Sequence, residues 1–157
     1  MTTGGDMIVR LYGLPDAPTP AGVRIKRAFP GDRTAILRFI EENFTKSWAD
    51  EAETALMRCP PGCYIAVADH RVVGFACWDA TAKGFFGPIG VAKDQRGGQI
   101  GAALLLHALH AMRADGYAYA VIGWVGEAET FYRKTVGAEY IPGGTPDNSV
   151  YTNMISR

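Results

Sequence analysis

Gly84-Phe85-Phe86-Gly87-Pro88-Ile89-Gly90-Val91-Ala92-Lys93-Asp94-Gln95-Arg96-Gly97-Gly98-Gln99-Ile100-Gly101-Ala102-Ala103-Leu104-Leu105 reads as a strand, a glycine-rich turn and the head of a helix. Where that helix begins, the backbone amides around Arg96 to Ala102 lack partners within the helix, and the positive end of its macrodipole falls on the same point. A point of that kind binds phosphate. Glycines at 97, 98 and 101 let the backbone approach a diphosphate closely, because a β-carbon there would hold the anion off the amides. Arg96 adds a positive charge. Pro88 cannot donate a ladder hydrogen bond, and Gly87 and Gly90 beside it loosen pairing further, so the strand is expected to bulge or to splay from a neighbour. A linear ligand in such a gap would pair with free backbone groups.

Outward from this stretch, Gly98 to Ala114 carries Ile100, Leu104, Leu105, Ala108, Leu109 and Met112 at helical spacing, with His107, His110 and Arg113 left for the other side. Tyr117 to Gly123 predicts a strand, Glu127 to Val136 a short helix closed by Gly137, and Ala138 to Ile141 with Val150 to Ile155 a final strand pair. Upstream, Tyr64 to Ala68 and Val72 to Trp78 are β-rich runs joined by Asp69-His70-Arg71, an antiparallel hairpin. Before them come a strand at Val23 to Phe29, a turn at Pro30-Gly31-Asp32 with Asp32 as N-cap candidate, and a helix at Arg33 to Asn43. A second helix starts near Ser47, with Asp50 and Glu51 in its first turn, and is ended by Pro60-Pro61-Gly62. Met7 to Tyr12 forms a short strand followed by a proline-rich loop up to Gly22. The expected fold is therefore α/β (α+β), one layered domain over 23–157 with a mixed sheet, preceded by an arm over 1–22 that could add an edge strand or reach a second subunit, as in a homodimer.

Composition narrows the function classes. The chain has 157 residues, 48% of them hydrophobic and 20% charged, enough for one buried core without disulfide or metal support. Sixteen basic residues balance sixteen acidic ones, so no global field gathers nucleic acid or an anionic membrane. Three cysteines, Cys59, Cys63 and Cys77, show no C-x-x-C spacing, and the three histidines supply no matching ligand pattern. Free thiols and no metal are expected. The longest apolar stretch, Ile100 to Met112, is too short to span a bilayer. With no signal-peptide pattern at the N-terminus, the expected location is cytoplasmic.

The run from Val91 through Gln95-Arg96-Gly97-Gly98-Gln99-Ile100-Gly101 resembles the acetyl-CoA pyrophosphate loop of the GNAT N-acetyltransferase superfamily, Q/R-x-x-G-x-G/A, with Gln99 in place of its middle glycine. Phe131-Tyr132-Arg133-Lys134 followed by Val136-Gly137-Ala138 is similar to that family's F/L-Y-x-K-x-G-F/A segment, and the two stand in the family's order and spacing. The resemblance implies a centrally splayed sheet flanked by helices on both faces and acetyl-CoA as cosubstrate. It implies direct attack of a small-molecule primary amine on the thioester. Gln95, Arg96, Gly97, Gly98, Gln99, Ile100, Gly101 and Ala102 would hold the diphosphate, Ile89 and Val91 the pantetheine through their backbones, and Lys134 the 3′-phosphate. Phe75 to Asp79, Lys83 to Pro88 and Tyr117 to Gly123 look like a bacterial subgroup that includes glucosaminide N-acetyltransferases, which favours an amino sugar slightly over other amines.

Such chemistry needs a proton donor for the departing thiolate and an unprotonated amine. Tyr132 occupies the family's acid position. For the base, Glu127 and Asp79 are candidates, with a helix cap or a solvated strand-end carboxylate as the plainer reading of each, and water as a third option. Trp48, Trp78 and Trp124 could form an aromatic wall for the amine, or pack in the core. Two other readings compete. A Rossmann-type nucleotide enzyme is disfavoured because the spacing is not G-x-G-x-x-G, the loop falls mid-chain, and no acidic residue closes a clear second strand about 20 positions on. A non-catalytic acetyl-CoA-binding sensor or interaction module on the same fold would keep the cleft without turnover.

Overall fold

The computed structural model of the chain describes residues 4–155. The ends of the predicted arm and of the predicted domain, residues 1–3 and 156–157, lie outside that range. Among the described residues seven strands form one sheet: β1 (Met7–Arg10), β2 (Arg24–Arg27), β3 (Cys63–Ala68), β4 (Arg71–Trp78), β5 (Phe85–Val91), β6 (Tyr119–Ile122) and β7 (Glu139–Tyr140). Their order is β2-β3-β4-β5-β6-β1-β7, antiparallel throughout except between β5 and β6. The fold is the expected mixed α/β one.

The β3–β4 hairpin forms where its turn chemistry predicts. Asp69 and His70 both take positive φ, 50° and 63°, matching the right-handed strand twist. Alternation along these strands feeds two cores. Phe75, Cys77, Cys63 and Ile65 face α1 (Arg33–Asn43) and α2 (Lys46–Leu56), while Val73, Ala76 and Trp78 belong with α3 (Ile100–Ala114) and Tyr132 of α4 (Glu129–Val136). Burial on both faces explains why β4 reads as an almost unbroken apolar run. Cys63 and Cys77 are cross-strand partners, both buried and unpaired, and burial pushes the Cys77 thiol up, away from nucleophile behaviour.

Four expectations are corrected. The N-terminal segment is not an appended arm with an edge strand. β1 inserts between β6 and β7, and Met7, Val9 and Leu11 are fully buried there. The edge of β6 would otherwise be open, and the main-chain pairing of β1 closes it. The predicted C-terminal strand over Val150 to Ile155 does not form. Instead Pro146–Asn148 and Val150–Asn153 are short 3-10 turns, and β7 pairs with β1 over only two residues. Ser149 ties this tail down by donating from Oγ to the buried Asp6 carboxylate (3.1 Å). Finally, α2 begins at Lys46, capped by Thr45, whose Oγ1 accepts from the Trp48 amide (3.1 Å), so Asp50 and Glu51 lie beyond its first turn. Trp48 thus lies in the first turn of α2. Asp32 also makes no side-chain cap, because its carboxylate accepts from Lys26 Nζ (2.7 Å) and the Phe29 amide (3.0 Å).

His107 and His110 are not a free surface pair. His107 stacks on Tyr64 at 5.1 Å, and His110 Nε2 meets the Pro15 carbonyl at 2.8 Å, so both help fasten α3 to its neighbours.

Candidate active site

The site follows from one interrupted pairing. β5 and β6 are matched only at Phe85↔Val121 and Phe86↔Ile122. From Gly87 (φ 120°) and Pro88 onward β5 keeps β4 on one side and has no strand on the other. The gap is a cleft of about 1370 Å³, walled by Gly87 to Val91, the segment after β6, the head of α3, α4 and the α1–α2 junction. Phe44 closes that junction over β5: a β-carbon on Gly90 would stand 2.4 Å from its ring, so only glycine fits there. Ala92 donates to Val73 of β4, so alternation turns the Val91 and Ile89 backbone toward the open side. The Val91 carbonyl on that side accepts from Arg96 Nε (3.1 Å).

At the head of α3, Gln99 is left-handed (φ 66°) and provides no side-chain cap. The first intrahelical bond of the turn is Ala103 N–H to Gln99 O, which leaves the Ile100, Gly101 and Ala102 amides without helix partners. β-Carbons added at Gly97 or Gly98 would meet nothing within 4 Å, so the space in front of these amides is open. Gly97 also needs its φ of 88°, while Gly98 does not lie in the left-handed region. Gln95, Arg96, Gly97, Gln99, Ile100, Gly101 and Ala102 all line the cleft, as do Ile89, Val91 and Lys134. Gly98 is adjacent, without lining it.

Tyr132 projects from α4 into the cleft against Phe86, with ring centroids 6.4 Å apart at 76°. It is 5% exposed. Burial, with a smaller contribution from Tyr151, holds its phenol well above the usual tyrosine range, so the group stays protonated. Its hydroxyl makes no hydrogen bond among the described residues. Since no fully buried side-chain N or O atom there lacks a partner, this hydroxyl must touch the open cleft.

The other candidates divide. Asp79, at φ 53°, accepts from the Gly84 amide (2.7 Å) and the Tyr117 hydroxyl (2.9 and 3.0 Å) and does not line the cleft. Glu127 is exposed in the turn before α4 and does not line it either. Trp78 is a core residue, stacked on Tyr64 at 6.0 Å, covered by the Arg27 guanidinium at 5.0 Å and donating to Asp115 (3.2 Å). Trp48 is half-buried and joins Phe44 and Phe75 in an aromatic cluster, yet one side of it lines the cleft. Trp124 also lines the cleft, stacked on Tyr151 at 4.9 Å and 14°.

Three residues went unrecognised in the sequence. Glu51 of α2 reaches the cleft, accepts from Thr81 Oγ1, and has its carboxyl raised by burial. Tyr151 meets Thr81 at 3.3 Å, and burial pushes its phenol up to about 12. Asp6 holds both ends of the aromatic wall, accepting from the Trp124 amide (2.9 Å) as well as from Ser149. Read as a first-turn acid, Glu51 looks like a dipole partner, which hid its place in the cleft. No local pattern marks Asp6, because its partners lie 118 and 143 residues away.

Fold and cleft define an α/β protein with a splayed central sheet and an uncapped amide turn at the splay. The chain belongs to the acetyltransferase (GNAT) family, whose model matches residues 33–138. It is similar to a GCN5-related N-acetyltransferase from Sphaerobacter thermophilus (25% identity, TM-score 0.68, covering 86% of this chain and 47% of that one). It also resembles a glucosamine N-acetyltransferase region of a fungal multi-domain GH3 β-N-acetylglucosaminidase (17% identity, TM-score 0.65, covering 86% and 19%). A third likeness is to a GNAT family N-acetyltransferase from Escherichia coli solved with CoA (17% identity, TM-score 0.50, covering 66% and 62%). The chain spans less than two thirds of each of these structures. No curated protein matches it. Among the described residues no helix is long and apolar enough to cross a membrane, and no three His, Cys, Asp or Glu side chains gather as a metal site.

Proposed function

We propose that the protein transfers an acetyl group from acetyl-CoA to the primary amine of a small molecule. The observation that carries this reading is the uncapped amide turn at the head of α3, which opens into a cleft running along an unpaired strand edge to the Tyr132 hydroxyl. The residues present suit CoA chemically. Ile100, Gly101 and Ala102 amides, with the Arg96 guanidinium, suit the diphosphate, and Lys134 suits the 3′-phosphate. The backbone at Ile89 and Val91 suits the amides of pantetheine.

In the reaction the amine lone pair forms a C–N bond to the thioester carbonyl carbon and the C–S bond breaks. Tyr132, protonated because it is buried, donates to the departing sulfur. The amine's surplus proton leaves through a cleft carboxylate or water to solvent, from which the Tyr132 phenolate regains a proton, so the products are an N-acetyl amide and free CoA thiol. Neither Asp79 nor Glu127 takes part. Among amines, an amino sugar is the favoured acceptor: the Trp124–Tyr151 stack offers an aromatic face of the kind sugar rings pack on.

The test is release of free thiol from acetyl-CoA on incubation with amino sugars, amino alcohols, polyamines and amino acids. Turnover with at least one amine supports the transferase. CoA binding with no thiol release from any of them would instead favour a sensor, and absence of CoA binding would remove both readings.

A further inference from the structure

The charges that line the cleft are sorted along its length. Its basic side chains, Arg96 and Lys134, stand at the α3 and α4 end, and its acidic ones, Asp50 and Glu51, at the α2 end. A second cavity of about 460 Å³ adjoins that acidic end and shares Glu51 and Tyr151 with the main cleft. It has no lysine, arginine or histidine in its lining.

The two carboxylates differ. Asp50 is exposed and paired with Lys46 at 3.2 Å. Glu51 is half-buried, accepts a hydrogen bond only from a neutral hydroxyl, and forms no ion pair among the described residues. Holding a partly desolvated carboxylate without a cation costs free energy that folding must absorb. A ligand bringing one positive charge would offset that cost, whereas a ligand bringing an anion would add to it. Around Glu51 the second cavity presents neutral hydrogen-bonding groups, from Ser47, Thr54, Thr81, Tyr151 and Asn153.

We infer that Glu51 marks the acceptor subsite and selects by charge: the acceptor is a hydroxyl-bearing amine with a single positive charge and no carboxylate or phosphate, the class of unphosphorylated amino sugars and amino alcohols. Glu51 is a specificity-determining residue that grips the ammonium, and the hydroxyl groups of the second cavity take the neutral remainder. This rests on the proposed transferase reading for the identity of the ligand as an acceptor, but the charge selection has a readout of its own.

The experiment uses matched pairs that differ by one acid group, glucosamine against glucosamine 6-phosphate and serinol against serine. Binding is measured by calorimetry on the full chain saturated with CoA, and turnover by thiol release with acetyl-CoA. The acid-free member of each pair should bind at least about 10-fold more tightly. Glu51→Gln, which keeps the shape and removes the charge, should weaken that binding about 10- to 100-fold while leaving CoA affinity unchanged. Glu51→Lys should reverse the preference. Selective binding without thiol release would uphold the subsite and overturn the transferase reading alone. Equal or preferred binding of the acid-bearing members, binding of neither, or an unchanged preference in Glu51→Gln would overturn the inference.

Discussion

Replacing Tyr132 by Phe removes one oxygen atom and tests whether the tyrosine is the acid. The ring's contacts with Phe86 and with Phe131, centroids 6.4 and 5.1 Å away, survive the change. Because the hydroxyl makes no hydrogen bond among the described residues, no described partner is orphaned, and stability should stay within about 0.5 kcal/mol of wild type. The kinetic effect follows from the acid's strength. General acid catalysis contributes about 10²–10⁴-fold. A thiol of ordinary acidity, near 8.5, is a stronger acid than a phenol that burial holds above 10. Donation is therefore uphill and must accompany C–S cleavage rather than precede it, which sets the expected loss at the lower end, about 100-fold in kcat. The assay is thiol release at saturating substrates, with CoA affinity by calorimetry and thermal unfolding as controls. Unchanged turnover, or a loss matched by weaker CoA binding or by unfolding, would refute the reasoning.

Gly98→Ala should leave the fold intact, since its β-carbon meets nothing within 4 Å, yet weaken CoA about 10-fold by crowding the diphosphate at the neighbouring amides; equal affinity, measured by calorimetry, would argue against the turn. Asp79→Asn, which tolerates the positive φ, should cost about 1 kcal/mol of stability in denaturant unfolding while kcat stays within about twofold, and a large fall in kcat would restore Asp79 as a base. Burial raises the Glu51 carboxyl above its unfolded value, so the folded state binds this proton more readily than the unfolded chain, and the destabilisation is present above the folded pKa and relieved as pH falls toward about 4. Glu51→Gln should accordingly unfold at a higher temperature than wild type at pH 7 and at a similar one near pH 4, and a variant less stable at pH 7 would contradict the sign.

The elements whose signals are local were legible in the chain. The β3–β4 hairpin declares itself through Asp69-His70, α1 through its spacing, and the splay of β5 from β6 through Pro88 between two glycines. What the sequence hid are contacts made across the whole chain. β1 looked like an arm because four residues cannot show that they will lie between β6 and β7, and the tail looked like a strand because Val150 and Tyr151 are β-formers. There the Ser149–Asp6 bond and the Trp124–Tyr151 stack override propensity. The end of the cleft proposed for the acceptor suffered most, being assembled from α2, the turn after β4 and the tail, none carrying a motif. The turn proposed for CoA was readable because the groups it offers are backbone amides, and glycines announce where those must be bare.

The most direct test of the account is a titration of isotope-labelled protein with CoA, following each backbone amide by NMR. The largest shifts are expected at Arg96 to Ala102, saturating together with smaller ones at Ile89 and Val91. Saturable CoA binding that leaves the 96–102 amides unmoved would contradict it.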